Sequence, residues 1–287
     1  MQRPTAAPPR QWGGVARRGA YGLTPPEDER GPARRSERAE APREAAAPGR
    51  KRFAVVQSGA SAKPARATPG KRPARRRQAL PVDVKSELHA AGGSRDAARL
   101  ELRLADATGA YDRERYSDAL TTLKELVRVA PASTAVRELY GLTLYRLGRW
   151  KEARRELRAL YELTASVDQH PVMADCARAL RDHDEVAELW ADLRRAGAGS
   201  DVLAEGRLVM AGSLADRGRF DEAIGILAPS VTRELRKPLD RHLRQWYSLA
   251  DLYERSGDVP RARELFRRVV STDPDFADAL DRLTALA

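Results

Sequence analysis

The sequence predicts an all-α protein built as a row of helical hairpins that cover one another's apolar sides. Three observations carry this expectation. Apolar residues recur at spacings of three and four in paired stripes, Trp246, Leu249, Ala250 and Tyr253 and then Ala262, Phe266, Val269 and Val270, so that each set falls on one helix face. Short turns separate the stripes: Gly257 suits the left-handed position that ends a helix, Asp258 suits an N-cap, and Pro260 suits the first turn of the next helix. Small residues also return at a fixed interval, with Ala119 and Ala153 standing 34 residues apart. Such a period is the mark of a repeat array, because one hairpin cannot bury its apolar face alone.

Charge divides the chain before any element is assigned. Residues 1–80 hold 19 of the 52 Lys and Arg but only 6 of the 41 Asp and Glu, so the whole basic excess belongs to them and the remainder carries a net charge of −2. The same stretch holds 11 of the 18 prolines and few large apolar residues, which cannot offset an ordering cost of about 1–2 kcal/mol per residue; a disordered tail is expected there. Within it, Lys71, Arg72, Arg75, Arg76 and Arg77 form a basic cluster suited to nucleic acid or an acidic surface. Gln11 to Tyr21, a basic segment flanked by aromatics, has the look of a short linear motif, although an ordinary tail with a chance tryptophan explains it as well.

The helical part is expected over 81–287. Pro81 to Ala91 reads as a short helix broken at Gly92 and Gly93, after which Ser94 offers an N-cap for a helix through Leu100, Leu102, Leu104, Ala107 and Tyr111. A partner helix from about Ser117 carries Ala119, Leu123, Leu126 and Val129, completing a first unit over 98–131. The second, over 134–165, runs through Tyr140, Gly141 and Leu144, turns at Gly148, and continues through Ala153, Leu157, Leu160 and Leu163. The third, over 169–196, has no glycine in its turn, and either Val186 or Ala187 takes the place of the small alanine. A glycine-rich link, Ala196 to Ser200, leads to the fourth over 202–232, with its turn at Gly218 and its small residue at Ala223. The fifth spans 243–274, and 275–287 places Phe276, Ala279, Leu280 and Leu283 as a terminal cap.

Trp246, Leu249, Ala250, Tyr253, Ala262, Phe266 and Pro274 match, in order and spacing, the pattern of tetratricopeptide repeats, and the chain resembles that family. The composition, rich in Arg and Ala and without Asn, resembles proteins of high-GC bacteria. The family resemblance implies a right-handed α-solenoid of about five repeats whose first helices line a concave groove that holds a protein or peptide segment. In this chain it places Thr108, Tyr111, Asp112, Glu138, Leu142, Tyr145, Asp175, Arg178, Tyr247, Asp251 and Glu254 along that groove. Relatives that clamp a C-terminal carboxylate use Lys and Asn there, whereas the corresponding places here hold Leu104, Thr108 and Leu139. Tyrosines mixed with acids suit a partner carrying some Arg or Lys.

No catalytic, cofactor or metal site is expected. Gly70 and Lys71 lack the spacing of a phosphate loop, and His170, Cys176 and His183 do not share one helix face. Cys176 has no motif that supplies a base, and as the one cysteine it forms no internal disulfide. No apolar run reaches the ~18 residues of a membrane span, and no apolar stretch follows the basic N-terminus. The expectation is therefore a non-enzymatic cytoplasmic scaffold for protein–protein interaction, with no membrane partner. The alternative is an adaptor that meets nucleic acid or the ribosome through the basic tail.

Overall fold

The structure is a computed structural model that describes residue 80, residues 82–231, residue 235 and residues 237–286. Leu80 apart, the predicted tail lies outside the described residues, and so does its cluster Lys71, Arg72, Arg75, Arg76 and Arg77. Among the described residues all regular structure is helical. The helices are α1 (Val82–Tyr111), α2 (Tyr116–Val129), α3 (Thr134–Arg146), α4 (Trp150–Thr164), α5 (His170–Ala179), α6 (His183–Arg195), α7 (Ser200–Asp216), α8 (Phe220–Leu227), α9 (Asp240–Ser256), α10 (Val259–Thr272) and α11 (Ala279–Ala285); a 3-10 turn, Ala228–Ser230, follows α8.

One turn, used five times, sets the architecture. A residue with positive φ closes each first helix: Glu114 at 60°, Gly148 at 75°, Arg181 at 61°, Gly218 at 75° and Gly257 at 90°. The amide after each reaches back across the last helical turn, Arg115 to the Ala110 carbonyl, Arg149 to Leu144, Asp182 to Ala177, Arg219 to Leu214 and Asp258 to Tyr253, all at 2.8–3.0 Å. This is the Schellman closure, which satisfies carbonyls that the helix end leaves over. Glycine takes the left-handed position without strain, whereas Glu114 and Arg181 hold it at a cost of about 1–2 kcal/mol.

The same turn brings small residues into register. Five positions after it stand Ala119, Ala153, Val186, Ala223 and Ala262, all with no exposure. Seven positions before it stand Ala107, Gly141, Ala174, Ala211 and Ala250, all buried. The helices of a hairpin cross at these residues, and a Cβ on Gly141 would meet Leu157 Cδ2 at 2.7 Å. Val186, not Ala187, takes the small-residue place of the third unit, for Ala187 is exposed.

Each helix packs on the next, and each first helix also packs on the first helix that follows, α1 on α3, α3 on α5, α5 on α7 and α7 on α9. A helix in that position has neighbours on two sides, which explains why α3 and α7 are buried around most of their circumference. The core passes from one body to another inside α7. Val209 joins the cluster that extends from Val84 to Leu189, Leu208 and Ala211 join the one that extends to Ala279, and Met210 packs against both.

Two expectations change and one is met. The break predicted at Gly92 and Gly93 is a reversal of the chain inside α1, whose helical turns otherwise run from Val82 to Tyr111: Lys85 Nζ lies 3.7 Å from Glu101 Oε2, although sixteen residues of straight helix would span about 24 Å. Leu100 presses so closely on Gly92 that a Cβ there would stand 2.8 Å from its Cδ1. Val129 and Leu163, assigned to apolar stripes, are half-exposed, because each falls one helical step past the buried positions Leu126 and Leu160. In α11 Ala279 is buried and Leu280 exposed, so the cap rests on Phe276, Ala279 and Leu283.

Candidate functional site

The residues predicted to line a groove lie on the faces by which successive first helices meet, and most are committed there. Leu142 and Tyr145 have no exposure and Tyr111 has 1%, so these three are core residues and not part of an open wall. Tyr111 packs edge-on against Tyr116. The physical reason is the contact of α1 with α3 and of α3 with α5, which covers side chains that a lone hairpin would expose. Asp112 is exposed, and Thr108 is half-buried with its hydroxyl turned back onto the Leu104 carbonyl at 2.9 Å.

Polar side chains on this face reach across from one repeat to the next. Gln169 Nε2 donates to Glu138 Oε1 at 2.8 Å, and the Tyr145 hydroxyl donates to Asp175 Oδ2 at 2.8 Å. Arg178 forks onto Asp216 at 2.6 and 3.1 Å, and Arg244 onto Glu205 at 2.6 and 2.8 Å. Two parallel N–H···O bonds are the strongest geometry a guanidinium offers a carboxylate. Further toward the N-terminus, Glu87 accepts from the hydroxyls of Ser133 and Thr134 and from the Ala135 amide, at 2.8, 2.5 and 3.2 Å, tying the start of α1 to the start of α3.

At the far end a residue that sequence reasoning passed over takes control. Arg282 of α11 donates to Asp251 Oδ1 at 2.9 Å, to Glu254 Oε2 at 2.5 Å and to the Tyr247 hydroxyl at 3.3 Å, and its guanidinium lies over the Phe266 ring at 4.8 Å. Burial works against its charge, yet these partners hold the guanidinium above its ordinary value. Tyr247 in turn donates to Asp278 Oδ1 at 2.5 Å. Thus Tyr247, Asp251 and Glu254, expected along the groove, meet around a cation of this chain's own cap. An arginine three residues after the buried Ala279 was the available signal.

Electrostatics sharpen the middle of the face. Burial pushes the Asp175 carboxyl up to about 6, against the pull of Arg178 and of the Tyr145 hydroxyl. The adjoining Cys176 thiol is pushed well above its ordinary value, first by burial and then by Asp175, so it stays protonated at neutral pH. Such a thiol is a poor nucleophile. His183 Nδ1 pairs with Ser213 Oγ at 2.8 Å, while His170 is buried against the edge of Tyr161, which keeps the two imidazoles in separate surroundings. Among the described residues no three His, Cys, Asp or Glu side chains are grouped to hold a metal ion. Nor, among them, is any helix long and apolar enough to cross a membrane.

Comparison with known proteins places the geometry. Two family profiles, both described as tetratricopeptide repeat, match residues 104–168 and residues 243–286. Among solved structures, a putative kinesin light chain of Podosopora anserina with nearly identical TPR-like repeats is 18% identical, with a TM-score of 0.50 over 61% of this chain and 94% of that one. A singly substituted form of that protein gives a TM-score of 0.51 at 18% identity, over 64% and 97%. A thermophilic TPR protein of Thermus thermophilus is likewise 18% identical, with 65% and 98% covered and a TM-score of 0.49. The two kinesin light chain likenesses are of fold. No curated protein matches the chain.

Proposed function

We propose, from the premise that this chain is a tetratricopeptide-repeat protein, that it is a non-enzymatic scaffold which holds a protein or peptide segment against the concave face of its first helices. The observation that supports this reading most is the unbroken succession of α1, α3, α5, α7 and α9, each first helix packed on the next. The face is stiffened by polar ties between repeats, which pre-organise it and lower the ordering cost of binding. Its open stretch lies at the N-terminal end, around Thr108 and Asp112, and the C-terminal end is filled by Arg282. A partner with Lys or Arg suits Asp112.

A second reading rests on the charge excess of residues 1–80, which favours nucleic acid or the ribosome as the partner of the tail. One experiment separates the two. Affinity purification from the native cells is run on the full chain, on a form without residues 1–80, and on an Asp112→Arg, Thr108→Arg form. Scaffold function predicts that the same protein partner survives loss of the tail and is lost with the double substitution. A nucleic-acid partner that is lost with residues 1–80, kept by the double substitution and released steeply as salt rises supports the second reading instead.

A further inference from the structure

Many arginines of the described residues are matched with acids: Arg103 pairs with Glu125, Arg137 with Glu156, Arg178 with Asp216 and Arg244 with Glu205. Two that share one aromatic ring are not. Arg194 of α6 and Arg207 of α7 approach the Trp190 ring, 6.0 and 5.8 Å from its centroid, and neither meets a carboxylate among the described residues. Trp190 is partly exposed although it stands nine residues after the turn, where the fifth repeat buries Phe266 completely. Gly206 sets its depth, since a Cβ there would come within 3.3 Å of Trp190 Cε3.

Arg207 is the telling member. It is half-buried, and both its burial and the like charge of Arg194 lower its pKa, with no acid acting the other way. A guanidinium withdrawn from water beside a second one favours an anion placed between them. Three residues along the same two helices, Ala187 of α6 and Met210 of α7 line a cleft of about 510 Å³, together with Leu214 and Ile226 and with the acids Asp184 and Glu222. Tryptophan flanked by arginines beside an apolar trough is the composition of an energetic centre in protein recognition.

We propose that Arg194, Trp190 and Arg207 form a docking site for an acidic segment of a partner protein, which seats a carboxylate between the two guanidiniums and an apolar neighbour over the ring and the Met210–Leu214 floor. The site lies on the side of α7 that meets the second helices α6 and α8, away from the first-helix face, so it stands or falls independently of the reading given above.

The test uses the full chain labelled with 5-fluorotryptophan, and a short synthetic peptide alternating glutamate with leucine. The Trp190 resonance, identified by its loss in Trp190→Phe, is expected to shift saturably with this peptide and to stay still with a peptide alternating glutamine with leucine. Arg194→Gln, at an exposed position, is expected to weaken binding about tenfold, the worth of one charge-assisted hydrogen bond. Arg194→Gln with Arg207→Gln is expected to abolish the shift. A local resonance keeps the basic tail, present in every form, from masking the result. The proposal is overturned by an unmoved Trp190 signal, by an equal response to the glutamine peptide, by unchanged affinity in Arg194→Gln, or by a response only to a single-stranded oligonucleotide.

Discussion

Tyr145 of α3 donates its hydroxyl hydrogen to Asp175 of α5 at 2.8 Å, across the seam between the second and third repeats, and both side chains are buried. The tyrosine is held well above its ordinary value, first by burial and then by the acid it faces.

This pair makes stability depend on pH. The folded state holds the Asp175 proton up to about pH 6, whereas the ordinary value is 3.8. The folded form therefore binds the proton more tightly than the unfolded chain, so ionised Asp175 opposes folding; that cost is full above pH 6 and fades as pH falls toward 3.8. Two pKa units correspond to about 3 kcal/mol. Unfolding free energies from urea titration of Asp175→Asn and the parent chain should differ more in the variant's favour at pH 7 than at pH 4, by about that amount; parallel profiles would contradict the linkage.

Turn residues give a second prediction. Glu114→Gly and Arg181→Gly relieve a left-handed backbone but add freedom to the unfolded chain, so each is expected to stabilise by roughly 0.5–1 kcal/mol. Gly257→Ala, at φ 90°, is expected to destabilise by about 1 kcal/mol. Opposite shifts in melting temperature for the two classes are the check.

Close approach gives a third. Gly141→Val drives a side chain into Leu157 and is expected to cost about 1–3 kcal/mol. Adding Leu157→Ala should return part of that loss, because the two residues compete for one volume, and a double-mutant cycle measures the coupling.

The cap gives a fourth. Arg282→Ala leaves Asp251, whose carboxyl burial already pushes up, without its principal cation. Allowing for the partial exposure of the arginine, the loss is about 2 kcal/mol. Hydrogen exchange is expected to rise in α9 to α11 and to stay unchanged in α2 to α4. A loss spread evenly over all helices would contradict a local role.

Much of the fold was legible because it depends on side-chain size and spacing. The small residues at Ala119, Ala153 and Ala223 and the glycines at 148, 218 and 257 announce the hairpins directly. Glu114 and Arg181 occupy the same backbone position without any compositional sign, and only the recurrence of the turn around them shows it. The binding face was less legible. Asp175, Arg178 and Glu138 look like solvent-facing polar residues, but each has a partner 30 or more residues away at a neighbouring first helix. Spacing along one helix says which side a residue is on; it does not say whether another helix arrives there. The pairing of Arg194 and Arg207 on Trp190 is hidden for the same reason.

The passage of the core through α7 has a mechanical consequence. Val209 belongs to the packing on one flank of that helix and Leu208 to the packing on the other. The helix is thus a party wall: neither half of the row can melt without stripping one side of the other's boundary, so a fracture under tension should open beside α7 and leave two bodies of unequal length, only one of which keeps it.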